Sequence, residues 1–320
     1  MTRGSQGILA TMPPQGVSIS VVLLSYDRPQ YLRRVLETVV AEPGLDFEVI
    51  VVDNRSPTSD RIAEIVAAFP TVRLIRNPDN GGFTGGMNVG IAAARGEYVY
   101  LTEDDIEIEP GCLSALVAYL ESRPDVGLAG PVMLNHGDDT VRCAGGHVEL
   151  GPIYRLTVLA AGEPSAASRL AAPYEVTYLP GSMLMARRAL LRELRGFRDD
   201  FFMYIEDVDL CIRVLKRRLA IAVVPEARVR HYDPAPVGAP GLDFHKTKNL
   251  SAVYLLHAPL RVLPAFLLRY GLLGGARAIR AGGAGAHVRA WTWALVNAPR
   301  LLAERFRAHP GVRPSAPASP

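Results

Sequence analysis

Tyr98-Val-Tyr-Leu-Thr-Glu-Asp-Asp-Ile-Glu-Ile-Glu-Pro-Gly111 reads as a short buried strand that runs into a cluster of carboxylates. Strand alternation places Glu103 and Asp105 on one side and Asp104 on the other. Two hard oxygen ligands facing one spot suit Mg²⁺ or Mn²⁺, ions commonly held by one or two carboxylates plus substrate phosphates. The plainer alternative is an acidic turn that caps a helix starting near Pro110. Three acids in isolation favour that alternative. The rest of the chain supplies partners for a metal–diphosphate site.

Working outward, Val17-Ser-Ile-Ser-Val-Val-Leu-Leu24 is a continuous apolar run of the kind buried in a parallel sheet. Pro29 starts a helix to about Ala41. Phe47–Asp53 is a second buried strand, residues 54–59 turn into a helix to about Phe69, and Val72–Arg76 is a third strand. A glycine-rich loop, Asn77 to Gly86, leads into a helix through Ala94, and the quoted stretch follows as the fourth strand. This strand–helix alternation predicts a doubly wound α/β sheet, whose ligands sit beyond the carboxyl ends of the strands. Tyr26, Asp53, Asn80 and Asp105 all lie just after strand ends. No G-x-G-x-x-G follows the first strand and no G-x-x-x-x-G-K-[ST] occurs, which argues against dinucleotide-binding and P-loop folds.

Val126–Pro131 reads as a fifth strand, and residues 132–180 are weakly patterned, with a Pro/Ala/Ser-rich loop near 160–174. Pro180–Arg188 is a turn followed by a strand. Val208, Ile212, Leu215 and Leu219 recur at helical spacing, so a helix starts near Glu206–Asp207. Asp207 as an N-cap and Asp209 as an i,i+4 partner of Arg213 are the structural readings there. Ile221–Pro225 and Ala227–His231 are short strands, and a lone histidine such as His231 is more often structural than a ligand.

The chain has 320 residues, 49 % of them hydrophobic and 21 % charged, enough for one large domain or two smaller ones with a sizeable core. Its three cysteines, without a CxxC pair, speak against a disulfide framework or structural zinc and fit a reducing compartment. The first residues hold no long apolar run, so no signal peptide is expected. The formal charge of +3 is unevenly spread. From His245 onward there are 11 Lys and Arg against one acid, Glu304, whereas residues 1–244 hold 24 Lys and Arg against 31 acids. A basic, apolar tail suits an anionic membrane surface better than nucleic acid, for which no reading motif is present. Helices are expected at Leu250–Leu256, Leu260–Leu273 and Trp291–Leu302. They pack on the domain or lie on a membrane, and no stretch reaches the roughly 20 uninterrupted apolar residues of a spanning helix.

Four motifs occur in order: Val17–Pro29 with Val51-Val-Asp-Asn54, Asn80-Gly-Gly-Phe-Thr-Gly-Gly-Met-Asn-Val-Gly90, Glu103-Asp-Asp105, and Gly181–Arg188 with Gly196–Arg213. Over about residues 17–235 the chain resembles a family-2 inverting glycosyltransferase of GT-A fold, rhamnosyltransferase-like. The resemblance implies an α/β, doubly wound mixed sheet flanked by helices, with a C-terminal helical extension. It divides the chain into disordered tails (1–16 and 310–320), a catalytic domain (17–240, split at 130 into donor and acceptor halves) and a helical extension (241–309). Asp53 would accept a hydrogen bond from the nucleotide base, with Ser25, Tyr26, Arg28, Asn80, Gly82 and Asp104 also on the donor. Asp105 matches the last acid of the D-x-D motif and His231 completes the metal site. Asp207 matches the catalytic base, supported by Glu206, and Gly181 and Ser182 border the acceptor.

The first acid of the motif departs from the family. Glu103 reaches one methylene further than aspartate, so it binds metal through water or touches the sugar, and Asp105 is the stronger ligand. Mg²⁺ or Mn²⁺ would be the cofactor and a dTDP- or UDP-sugar the donor, with rhamnose as first guess. The acceptor would be a lipid-linked glycan or a small aglycone, in the cytoplasm or at the inner face of the membrane, with residues 245–309 as peripheral contact. The competing functions are a sugar-1-phosphate nucleotidyltransferase, which would need a glycine-rich turn after the first strand, and a non-catalytic nucleotide-sugar-binding subunit.

Overall fold

A computed structural model describes residues 18–167, 170–232 and 242–307. The expected tails, 1–16 and 310–320, and the expected boundary at 240 lie outside the described residues. The order begins β1 (Ile19–Ser25), α1 (Pro29–Val40), β2 (Phe47–Asp53), α2 (Ser59–Ala67), β3 (Val72–Arg76), α3 (Gly82–Ala93) and β4 (Tyr98–Glu103). β5 (Ile106–Ile108), α4 (Cys112–Ser122), β6 (Val126–Asn135) and β7 (Val141–Cys143) follow, then β8 (Gly146–Leu150), β9 (Tyr154–Val158) and β10 (Tyr174–Val176). β11 (Leu184–Arg187), α5 (Arg188–Leu194), α6 (Glu206–Lys216), β12 (Ala220–His231) and α7 (Leu242–His257) lead to a helical hairpin.

Ten strands form one mixed sheet in the order β10-β12-β6-β11-β4-β1-β2-β3, with β5 on β12 and β7 on β6. The strands β4, β1, β2 and β3 are parallel, and β11 runs antiparallel between β4 and β6. The sequence of β1 is apolar throughout because both faces are covered. Ile19, Val21 and Leu23 face α1, α2 and α4, whereas Val22 and Leu24 pack under α3. α3 lies very close to the sheet: a Cβ on Gly90 would stand 2.1 Å from Val22 Cγ1. The chain reverses its strand order between β1 and β4, and such switch points open a crevice at the carboxyl ends of the strands.

Several expectations change. The strand β4 stops at Glu103, and Asp104 and Asp105 occupy the turn to β5, so strand alternation does not set their directions. The acids do not cap the following helix. Gly111 stands at the N-cap of α4, and Glu42 accepts the amides of Gly111, Leu113 and Ser114. The glycine-rich loop is shorter than expected, because α3 already starts at Gly82. The strand β6 continues through Pro131 to Asn135, and the two expected C-terminal strands are one, β12. The register between β6 and β12 breaks between Val223 and Arg228, opposite Pro131, where a missing N–H is tolerated.

The C-terminal part is helical, as expected. Residues 260–280 form one run, including α8 (Leu263–Phe266) and α9 (Leu273–Arg280), and α10 (Ala284–Arg307) folds back. Arginines interrupt the run Leu260–Arg280, as expected, but at 21 residues it is long and apolar enough by composition to cross a membrane, with an 18-residue window of mean hydropathy 1.3. Only 11 % of that window is buried.

Candidate active site

The carboxyl ends of β1 and β4 lie side by side, with Leu24 opposite Glu103. Asp104 turns toward β1. Its Oδ2 accepts the Ser25 hydroxyl at 2.7 Å and the Tyr26 amide at 3.1 Å. Arg28 donates to Asp105 Oδ2 and stands 4.0 Å from Asp104. Asp105 is buried, and its Oδ1 has no hydrogen-bond partner. The end of β12 brings His231 Nε2 to 3.8 Å from that oxygen. Tyr26 is half exposed beside the cluster. The structure therefore gathers Ser25, Tyr26, Arg28, Asp104, Asp105 and His231, from three strands, at one end of the sheet.

Asp53 belongs to a second group next to this one. It is fully buried, accepting the Ser56 amide at 2.9 Å and the Ser59 hydroxyl, so its carboxylate is bound within its own turn. Sequence reasoning missed the centre of this group, Asn54. Asn54 donates to Gly82 O at 2.8 Å and Asn80 Oδ1 at 3.0 Å, and accepts from Asn77. Asn80 in turn receives the Gly82 amide. Gly82 has φ +66°, and a Cβ there would meet the Phe202 carbonyl at 2.3 Å. Glycine at this position lets the 200–205 loop press against the start of α3. The signal was available: Asn54 adjoins Asp53 in a motif already singled out.

That loop carries the second pair of acids. Phe202, Tyr204 and Ile205 all have positive φ, and Ile205, at +69°, is the N-cap residue of α6. For a β-branched residue this is a strained conformation, which persists only where the surroundings enforce it. The enforcing side chain comes from α7. Asn249 is fully buried, and its Nδ2 lies 2.7–3.0 Å from the carbonyls of Phe201, Met203 and Tyr204. Lys248 also donates to Asp200 O. The chain before Asn249 is polar, His245-Lys-Thr-Lys-Asn249, an interruption of the apolar tail that could have drawn attention.

Glu206 and Asp207 occupy the first turn of α6, so Asp207 is not the N-cap. The Tyr178 hydroxyl donates to Asp207 Oδ2 at 2.7 Å, and the Val208 amide to Oδ1 at 2.8 Å. Burial raises its carboxyl above the ordinary range, although these bonds favour the charged form. Burial, and then the adjacent Asp207, push Glu206 well above its ordinary range, and its Oε2 has no hydrogen-bond partner. Tyr178 sits in the weakly patterned 132–180 region and carried no signal in the sequence. The structural reading of Asp209 holds: it pairs with Arg213 at 2.7 Å and also with His257 of α7 at 2.8 Å.

Glu103 stands between the two acidic pairs. Burial, and then Asp105, push it up to about 7, and the Ser182 hydroxyl bonds to it. Its charge also reaches Glu206. The neighbouring Gly181 backbone supports the Asp207 carboxylate. The Gly181–Ser182 turn thus joins Glu103 to Asp207. Beyond it opens a cavity of about 600 Å³, lined by Asp207, Glu206, Tyr178, Tyr204, Lys246 and residues of the hairpin. Among the described residues, no three His, Cys, Asp or Glu side chains close on a common point.

Residues 20–195, more than half of the chain, match the family "Glycosyl transferase family 2". An N-acetylglucosaminyl-diphospho-decaprenol L-rhamnosyltransferase of Mycobacterium tuberculosis is 28 % identical over 249 residues, 69 % of this chain and 78 % of that one. The chain spans only 26 % of the length of another relative, an uncharacterized protein of Sinorhizobium fredii, 28 % identical over 238 residues and 72 % of this chain. S. aureus TarS in complex with UDP-GlcNAc has a similar fold, with TM-score 0.57 and 18 % identity over 91 % of this chain and 83 % of that one. So does the mannosyltransferase PcManGT of Pyrobaculum calidifontis with GDP-Man and Mn²⁺, with TM-score 0.53 and 17 % identity over 92 % and 85 %. The sheet order and its flanking helices are those of the GT-A fold, and the chain belongs to glycosyltransferase family 2, as an enzyme that uses a nucleotide-sugar donor.

Proposed function

We propose that the protein is an inverting glycosyltransferase that moves a sugar from a nucleoside-diphosphate sugar to an acceptor hydroxyl, with Asp207 as general base. The observation that carries this reading is the placement of Asp207. It lies in the wall of the large cavity, oriented by the Tyr178 hydroxyl and the Val208 amide. Burial raises its proton affinity, which suits a base. Burial and then the neighbouring Asp207 push the Glu206 carboxyl well above its ordinary range.

The donor diphosphate belongs at the ends of β1, β4 and β12. Asp105 Oδ1 and His231 Nε2 offer one hard oxygen and one imidazole nitrogen on the same side, which fits Mg²⁺ or Mn²⁺ completed by diphosphate oxygens. When bound, the cation supplies Lewis-acid charge where the diphosphate gains negative charge. Arg28 adds fixed positive charge there, and Asp104 holds the end of β1 in place. Glu103, hydrogen-bonded to Ser182, faces the sugar between donor and acceptor. Asp53 and Asn80 border the nucleoside side through the Asn54 hub. Because the base and the diphosphate site lie on either side of Glu103, attack opposite the leaving group inverts the anomeric centre in one displacement.

The donor is read as a dTDP- or UDP-sugar, with rhamnose first because a rhamnosyltransferase is among the relatives. A cytoplasmic enzyme at the inner face of the membrane is the reading that accompanies such a donor. The test is Asp207→Asn. We expect kcat to fall by about 10²–10⁴-fold, with the donor Kd, measured by calorimetry with Mn²⁺, unchanged. Retained turnover overturns the base assignment.

A further inference from the structure

The hairpin after α7 has two faces. Its inner face ties to the domain: Phe266 stacks on Tyr254 at 3.8 Å, and the Tyr154 amide donates to the Tyr270 hydroxyl at 3.1 Å. Gly274, Ala278 and His287 form a wall of the cavity that starts at Asp207. The small residues of α9 leave that wall open. The outer face carries a groove of about 570 Å³ lined by Leu267, Leu268, Leu272, Val288, Trp291 and Leu295. His287 lines both spaces and stands between cavity and groove.

The outer face is unusual for a surface in water. Leu272 is 72 % exposed, Leu295 66 % and Val288 61 %. Contiguous exposed apolar patches mark interaction sites. Its charge identifies the partner: residues 260–296 contain Arg261, Arg269, Arg277, Arg280 and Arg289 and no Asp or Glu. Apolar side chains flanked by unopposed arginines fit the boundary between acyl chains and anionic headgroups. The stacking on Tyr254 and the hydrogen bond from the Tyr154 amide hold the run along the domain, the posture of a helix lying on a membrane rather than crossing it.

We propose that residues 260–296 dock onto an anionic lipid bilayer and that the cavity receives an amphipathic, lipid-linked acceptor directly from it. The lipid chain lies in the outer groove, and the chain turns inward at His287. An anionic linker meets Lys246, whose ammonium stands 4.8 Å over the Tyr204 ring at the cavity wall. The acceptor hydroxyl then reaches Asp207. This rests on the glycosyl-transfer reading above.

The test uses the full chain and the triple variant Leu268→Gln, Leu272→Gln, Leu295→Gln, whose sites are all more than half exposed. Co-sedimentation is measured at low and high salt with vesicles of phosphatidylcholine alone and with 30 % phosphatidylglycerol. The expected result is binding to the anionic vesicles that weakens in high salt and falls at least tenfold in the triple variant. A second arm uses dodecyl phosphate as an amphipathic anion, with Ala278→Phe to fill the cavity. Its binding should fall at least tenfold in that variant, while binding of UDP or dTDP with Mn²⁺ is unchanged. Three results overturn the proposal: no vesicle binding, equal binding by the triple variant, or release only by detergent, which would mean a spanning segment. So does a dimer in solution that the triple variant dissolves without any vesicle binding. Nucleotide binding, measured on the same samples, separates failure of this proposal from failure of the donor site.

Discussion

The helix α7 and the run that follows it are neighbours in the chain and opposites in chemistry. The first half of α7 carries His245-Lys-Thr-Lys-Asn249, yet Lys248 is 5 % exposed and Asn249 fully buried. Leu260–Arg280 is far more apolar, and only 11 % of its most apolar 18-residue window is buried. Hydropathy ranks the two in the wrong order. What decides their burial is the neighbour each one meets. The 200–205 loop turns the carbonyls of Met203 and Tyr204 toward α7, and a buried acceptor without a partner is costly. Asn249 meets them, so α7 is tied to the loop before α6 although its composition suggests an appendage. The hairpin meets no such demand, and its outer leucines have no protein partner among the described residues.

Asn249→Ala would test this contrast most severely. Removing the amide strands the carbonyls of Met203 and Tyr204, while Phe201 O keeps the Met203 amide. We predict a stability loss of about 1–3 kcal/mol by urea unfolding, the usual cost of unsatisfied buried groups. Relaxation of the positive-φ loop should also lower kcat by more than it changes donor Kd, because the loop carries Asp207 and not the diphosphate site. Equal stability in the variant would mean that the polar face of α7 is incidental.

Tyr178→Phe sharpens the same point from the other side of the cavity. The Tyr178 hydroxyl stabilises ionised Asp207 and lowers its pKa, so its removal raises a value that burial has already raised. A general base works only when deprotonated. The acidic limb of the kcat–pH profile should therefore move to higher pH in the variant, with the plateau reduced modestly. A profile that keeps its acidic limb would show that Tyr178 does not act on the base.

The smallest effect is expected on the hairpin. Leu272→Ser, at a site 72 % exposed, should change stability by less than about 0.5 kcal/mol. A loss as large as that of Asn249→Ala would mean that the outer face is packed in solution, and the contrast between the two regions would collapse.

Much of the donor half was legible in the sequence. Continuous apolar runs such as Val21–Leu24 announce strands covered on both faces, and acids, glycines and asparagines at their ends mark the crevice. The error at Glu103-Asp104-Asp105 was one of extent. The strand was carried two residues too far, so the alternation rule was applied to a turn. The expected pair at one spot became a division of labour, with Asp104 fixing β1, Asp105 facing His231, and Glu103 turned to Ser182. Glu206 and Asp207 were legible as acids at a helix start. Their supports were not, because Tyr178 lies 29 residues before Asp207 and Asn249 lies 45 residues after Tyr204.

The sequence by itself determined the layered α/β sheet, the order of its motifs and the residue types that meet a diphosphate and an acceptor. These depend on short-range patterns: period-two burial, helical spacing, and glycine where backbones approach. Only the tertiary structure decided which carboxylate faces which partner, that α7 supports the loop leading to Asp207, and that the hairpin walls the cavity beside Asp207. Those outcomes depend on satisfying buried carbonyls and charges contributed by distant segments, and no local pattern records which segment will supply the missing hydrogen bond.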